Sequence, residues 1–284
     1  MKMKKTLLLL PLIFSGLIVF AQKEYLPTAE DLEHFYTTKT YVVLDDSPLS
    51  AFNFEVKEVM QKVWDITEFE FIKQSEFSDK SKNPDASFVY TSLVSFERDK
   101  TDSRYVFLHL SLGGDNISMD DLKDLASLPL GYVGVDADNY IYKVGILLKF
   151  MQKHVRLITE NPDLISNNIF KYYNKNIDDA QDKTVYFVED ELSREIGTAA
   201  RIKQIYPYKF KIVDREEIRQ AIHNEEEDVV FLHKVGPEGK KLKARCYKIL
   251  IGAEDANFYY FDYHMIKSKK PDGFLTSDLK KLAR

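Results

Sequence analysis

The alternation of apolar and polar positions predicts a chain that runs through one pattern twice. Lys39-Thr40-Tyr41-Val42-Val43-Leu44-Asp45-Asp46 reads as a short apolar strand entered from Lys-Thr and left through two acids. Lys183-Thr184-Val185-Tyr186-Phe187-Val188-Glu189-Asp190 reads the same way. A stretch with helical spacing follows each strand. From Phe54 to Trp64 it puts Val56, Val59, Met60 and Val63 on one face, and in the second copy Ile196, Ala199, Ala200 and Ile202 make the corresponding face. The period then shortens. Phe69, Phe71 and Ile72 predict a second strand, matched by Tyr208, Phe210, Ile212 and Val213.

A second short helix is predicted over Asp214 to Ile222, where Asp214 can cap and Glu217 stands three positions later; Ser75 to Asp79 is its shorter counterpart. Third strands follow at Ser87-Phe88-Val89-Tyr90 and Val229-Val230-Phe231-Leu232. Each runs across a charged turn into a hairpin partner, Tyr105 to Leu112 and Arg245 to Ile251. Between the copies, Tyr140, Val144, Leu147, Leu148, Met151 and Val155 predict one long helix over Asp136 to Glu160, ended by Asn161-Pro162. Lys143, Lys149, Lys153 and Arg156 interrupt any membrane-spanning reading of it.

The order strand, helix, strand, helix, strand, strand implies an α/β fold: two tandem copies of a β-α-β-α-β-β unit with mixed sheets, joined by a helical segment. The expected division is a signal peptide over 1–21, an N-terminal lead over 22–38, a first copy over 39–130, a helical connector over 131–180 and a second copy over 181–284.

The run from Tyr208 through Asp214-Arg215-Glu216-Glu217-Ile218, followed by Asp228-Val229-Val230-Phe231-Leu232, resembles the small α/β domain found at the N-terminus of the Tol-Pal translocation protein and in curli-secretion lipoproteins. The resemblance covers about a hundred residues of the second copy and the first copy loosely; it implies a fold used in protein assembly in the bacterial envelope. The chain departs from both families. It has neither a downstream propeller-type repeat nor a cysteine placed for lipid attachment.

Lys2, Lys4 and Lys5, the apolar run Leu7 to Phe20 and the small residue in Val19-Phe20-Ala21 together predict a cleavable secretory signal, with an uncleaved anchor as the alternative. The single cysteine, Cys246, lies far from the cleavage point. The expected product is therefore periplasmic or secreted, soluble, not a lipoprotein, and free of internal disulfides.

The whole chain carries a formal charge of −5, and removing the three leader lysines leaves about −8. Such a surface repels phosphate. The basic runs Lys240-Lys241-Lys243-Arg245 and Lys267-Lys269-Lys270 read as solvated turn charges, so no nucleic-acid partner is expected.

Catalytic and metal signatures are sparse. His34, His109, His154, His223, His233 and His264 lack metal-site spacing, no nucleophile elbow occurs, and Gly113-Gly114 lacks the lysine of a phosphate loop; no cofactor and no metal are expected. Asp45, Asp46, Glu189 and Asp190 stand where parallel strands end, the edge at which open α/β sheets bind ligands. They read either as ligands for a hard cation or as helix-capping acids. Tyr259, Tyr260, Phe261 and Tyr263 lie in an aromatic run, Phe258 to His264, that reads either as a partner interface or as core beneath the Pro271 to Arg284 tail.

The expected function is binding or assembly with an envelope protein, without catalysis. The alternatives are a small-molecule or cation receptor using the cleft between copies, and a hydrolase built around His233 or Cys246.

Overall fold

The computed structural model describes residues 26–284 other than 48, 101, 116–121, 167 and 240–242, so the proposed signal peptide lies outside the described residues, as do Lys240 and Lys241. The fold is mixed α/β with two five-stranded mixed sheets. In the first unit, β1 (Lys39–Leu44) lies between parallel neighbours β2 (Glu68–Lys73) and β3 (Ala86–Val94). Strand β4 (Tyr105–Leu112) and then β5 (Lys123–Tyr132) add antiparallel to β3. The second unit repeats this order: β6 (Thr184–Val188) lies between β7 (Phe210–Val213) and β8 (Val229–Val235), extended by β9 (Arg245–Gly252) and β10 (Phe258–Met265). Each unit therefore carries one strand more than the repeat predicts, β5 and β10.

The helices follow local signals. The first unit contains α2 (Ala51–Val63), which starts at Ser50, whose hydroxyl accepts from the Asn53 amide, and α3 (Gln74–Lys80). The second contains α6 (Ala199–Lys203) and α7 (Arg215–His223). Asp214 and Glu217 form the expected capping box on α7: the Glu217 amide donates to Asp214 at 2.8 Å and the Asp214 amide to Glu217 at 3.1 Å. Ile196, expected in the helix that becomes α6, is instead fully buried in the turn before it.

The lead contains α1 (Ala29–Phe35), which the apolar spacing does not predict; a capping box between Thr28 and Asp31 starts it and Leu32 and Phe35 anchor it in the core. The long helix predicted from Asp136 begins later. Asp136 accepts from the Asp138 amide and nucleates a 3₁₀ turn, a second turn follows at Ile141–Lys143, and only then does α4 (Val144–Glu160) run to Asn161.

Helix α4 buries a broad apolar face, from Val144 through Leu147, Leu148 and Met151 to Ile158, and leaves Lys149, Lys153 and Arg156 to polar contacts on the other side. Phe150 of α4 stacks on Phe258 of β10, while Leu147, Met151 and Val155 join a core shared by both units. The outer face of the second sheet has its own core, in which Val185, Phe187, Val230 and Leu250 meet Phe274, Leu279 and Leu282 of the C-terminal segment carrying α8 (Thr276–Leu282). With both faces covered, every residue of β8 is buried. The edge of β10 is closed by the connector, which carries α5 (Phe170–Tyr173): Asn174 pairs with the backbone of Phe261 like an added strand, its Oδ1 accepting at 2.6 Å and its Nδ2 donating at 2.9 Å.

Candidate functional site

The acids predicted as ligands lie at the carboxyl ends of β1 and β6, in two grooves that share no lining residue. In the first groove, of about 410 Å³, Asn53 of α2 holds the acidic turn: its Oδ1 accepts from the Asp45 amide at 2.8 Å and its Nδ2 donates to the Asp45 carbonyl at 2.9 Å. The Asp45 carboxylate accepts from the Ser50 hydroxyl at 2.5 Å. Asp46 is exposed, and no side chain among the described residues bonds to its carboxylate. Neither Asp46 nor Asp190 caps a helix; Ser50 and Thr198 hold those positions for α2 and α6.

In the second groove, of about 830 Å³, Asp190 is neutralised by Arg215, whose Nη2 lies 2.9 and 3.0 Å from its two oxygens. Glu189 is exposed beside it. The next acid, Glu191, turns inward to fully buried Lys143 of the connector at 3.8 Å; burial raises its pKa while the Lys143 charge opposes the rise. The paired acids thus do not face one cleft between the copies. Among the described residues no three acidic, histidine or cysteine side chains are grouped to hold a metal ion.

The two edges have diverged in apolar exposure. Leu49 is 82% exposed, Phe54 63% and Leu93 58%, the three most exposed large apolar side chains among the described residues. All three belong to the carboxyl end of the first sheet: Leu93 lines the acidic groove, and Leu49 and Phe54 flank the Ser50–Phe52 segment that also lines it. Around the second groove, Arg194 and Arg215 take the corresponding surface.

The aromatic run is mostly interior. Tyr259, Tyr260 and Phe261 are buried, and of the four interface candidates only Tyr263 presents its ring to solvent. Tyr260 lies under the C-terminal segment, where its hydroxyl donates to Asp278 at 2.8 Å. Phe261 and Tyr263 line a groove between the units with Phe96, Phe107, Phe170 and Tyr247.

The residues of the hydrolase reading, His233 and Cys246, are buried and lie on opposite faces of the second sheet. His233 faces the shared core, where its Nε2 donates to the Pro129 carbonyl at 2.8 Å. Cys246 is fully buried on the opposite face of the sheet; its thiol accepts from the Gly273 amide at 3.4 Å, and burial drives its pKa well above the usual thiol range. His264, the cross-strand neighbour of Cys246, donates to the Pro271 carbonyl at 2.8 Å.

The acids of the first groove are legible in the sequence; the exposed apolar residues near it are not. One signal was available: Phe54 falls outside the Val56, Val59, Met60 and Val63 face of its helix.

Comparisons with protein-family models, curated proteins and solved structures return no match. Among the described residues no helix is long and apolar enough to cross a membrane.

Proposed function

We propose that this is an exported envelope protein that works by docking a partner segment, apolar with basic flanks, in the groove at the carboxyl end of the first sheet. One observation carries the reading: exposed Leu93 lines a groove edged by Asp45 and by Asp46, whose carboxylate has no side-chain partner among the described residues, and exposed Leu49 and Phe54 lie in sequence beside the Ser50–Phe52 segment that also lines it. Exposed apolar side chains beside a groove mark interaction sites, and a carboxylate rim selects for basic neighbours. The groove also lies at the sheet edge where α/β folds take ligands. Export rests on the leader pattern, and the resemblance of the second copy to envelope-assembly domains agrees with it.

Site-specific photo-crosslinking tests the proposal. A photoreactive residue at position 93 should give one envelope adduct that a residue at exposed Lys267 does not give. The adduct should disappear with Phe54→Ser and weaken with Asp46→Lys. No adduct specific to position 93, or one indifferent to both substitutions, defeats the reading.

A further inference from the structure

A further pocket, of about 180 Å³ and partly open to the surface, lies between β5, α4, Leu26 and Pro27 of the lead, and the connector residues 164–166 and 169–173. Its walls are apolar, built chiefly by Leu128, Phe150, Ile158, Ile165 and Phe170. Its polar lining residues are Asp124, Ser127, His154, Ser166 and Tyr173. His154 is fully satisfied. The Tyr173 hydroxyl donates to its Nδ1 at 2.7 Å, and its other nitrogen donates to the Leu125 carbonyl, so it is held as a neutral ring.

Asp124 is not balanced in this way. Its Oδ1 accepts from the Ser127 hydroxyl at 2.7 Å and the Ala126 amide also donates to it, yet among the described residues no lysine or arginine lies within ion-pair distance. Asp124 is partly buried, and a carboxylate drawn even partly out of water without a counter-ion is costly. Burial pushes its pKa up to about 6. Titratable groups held in an apolar pocket at such a cost concentrate at binding sites.

We propose that this cavity binds a small apolar molecule bearing a protonated amine, with the ammonium group paired to Asp124. The ionised carboxylate only accepts hydrogen bonds, so a donor must meet it, and a cationic donor also supplies the missing charge. An anionic head would meet repulsion. The volume is close to that of an engineered apolar cavity of about 150 Å³ that holds benzene, which allows one ring and a short chain.

The site also reaches beyond its own walls. With Asp124 ionised, Ser127 donates to it, His109 Nδ1–H donates to Ser127 at 2.6 Å, and Ser92 donates to His109 Nε2 at 2.8 Å. A bound ammonium favours the ionised carboxylate and so fixes the direction of this chain across three strands.

Titration calorimetry at pH 8 compares 2-phenylethylamine with 2-phenylethanol and phenylacetate as probes. Wild-type protein should bind the amine at least ten-fold more tightly than the alcohol, with phenylacetate weakest. Asp124→Asn should bring the amine down to the alcohol, and Ile165→Trp, which fills the cavity, should abolish all binding. Equal affinity for amine and alcohol in the wild type overturns the proposal without reference to any variant. So does an amine preference that survives Asp124→Asn.

Discussion

His233, in the middle of the all-buried strand β8, donates to the carbonyl of Pro129 in β5 at 2.8 Å, so a side chain of one sheet satisfies the open edge of the other. Pro129 has no amide hydrogen, which suits an edge strand. The Nε2–H donor is present in either charge state and the bond itself favours the charged ring, so it is the surroundings that keep the ring neutral. Burial, followed by the nearby Lys143 charge, lowers the His233 pKa to about 3.

Acid should therefore unfold the protein early. His109 and His154 are also lowered, each to about 4, by burial. Unfolded histidines titrate near 6.5, so below that pH the unfolded chain binds more protons. The stabilisation is complete above about pH 6.5 and is lost as pH falls toward 4 to 3. Asp124 acts in the opposite sense: its folded pKa of about 6 lies above the unfolded value of 3.8, so protonation favours the folded state as pH falls through that window. Urea midpoints measured from pH 7.5 to 4 should fall, and fall more steeply in Asp124→Asn. A flat profile contradicts the assignment.

The C-terminal segment is clamped to the second sheet by two buried ion pairs, Lys234 with Asp272 and Lys248 with Asp278, the latter at 2.8 Å. Breaking one partner strands a charge. Lys248→Met should cost about 3–5 kcal/mol in chemical denaturation, and adding Asp278→Leu should recover part of that loss. A double variant no more stable than the single one would show that the clamp acts by other means.

Asp99 ties the units together. Its Oδ2 accepts from the Tyr105 hydroxyl at 2.7 Å and its Oδ1 lies 3.2 Å from Arg245 Nε, while the Arg245 guanidinium stacks over Phe96. Asp99→Ala should destabilise by about 3 kcal/mol, as loss of a buried charge partner does. A double-mutant cycle with Arg245→Met should give a coupling of about 1–3 kcal/mol. Additive effects would mean that the pair is energetically silent.

The docking rim should separate stability from binding. Leu49→Ser and Phe54→Ser remove exposed side chains, so thermal stability should change by no more than about 0.5 kcal/mol while crosslinking from position 93 is lost. A large stability loss would place these side chains in the folding core.

Much of the architecture was legible in short stretches of sequence. Tyr105–Leu112 alternates as a strand and is one, Asp214 with Glu217 caps α7, and the apolar spacing through Val155 yields α4, because strand period, caps and helix faces are set by residues within a few positions of one another. Distant chain decided the rest. Tyr259 and Tyr260 are core because the C-terminal segment returns over one face of their sheet, and Phe258 and Phe261 because α4 and the connector cover the other. The matching acids of the two copies face separate grooves because the copies share a core through their sheet faces and α4. Nothing in the local sequence sets Asp124 apart from the other acids. What distinguishes it is its surroundings, a largely apolar pocket and no counter-ion among the described residues, and burial is a property of the whole fold rather than of neighbouring residues.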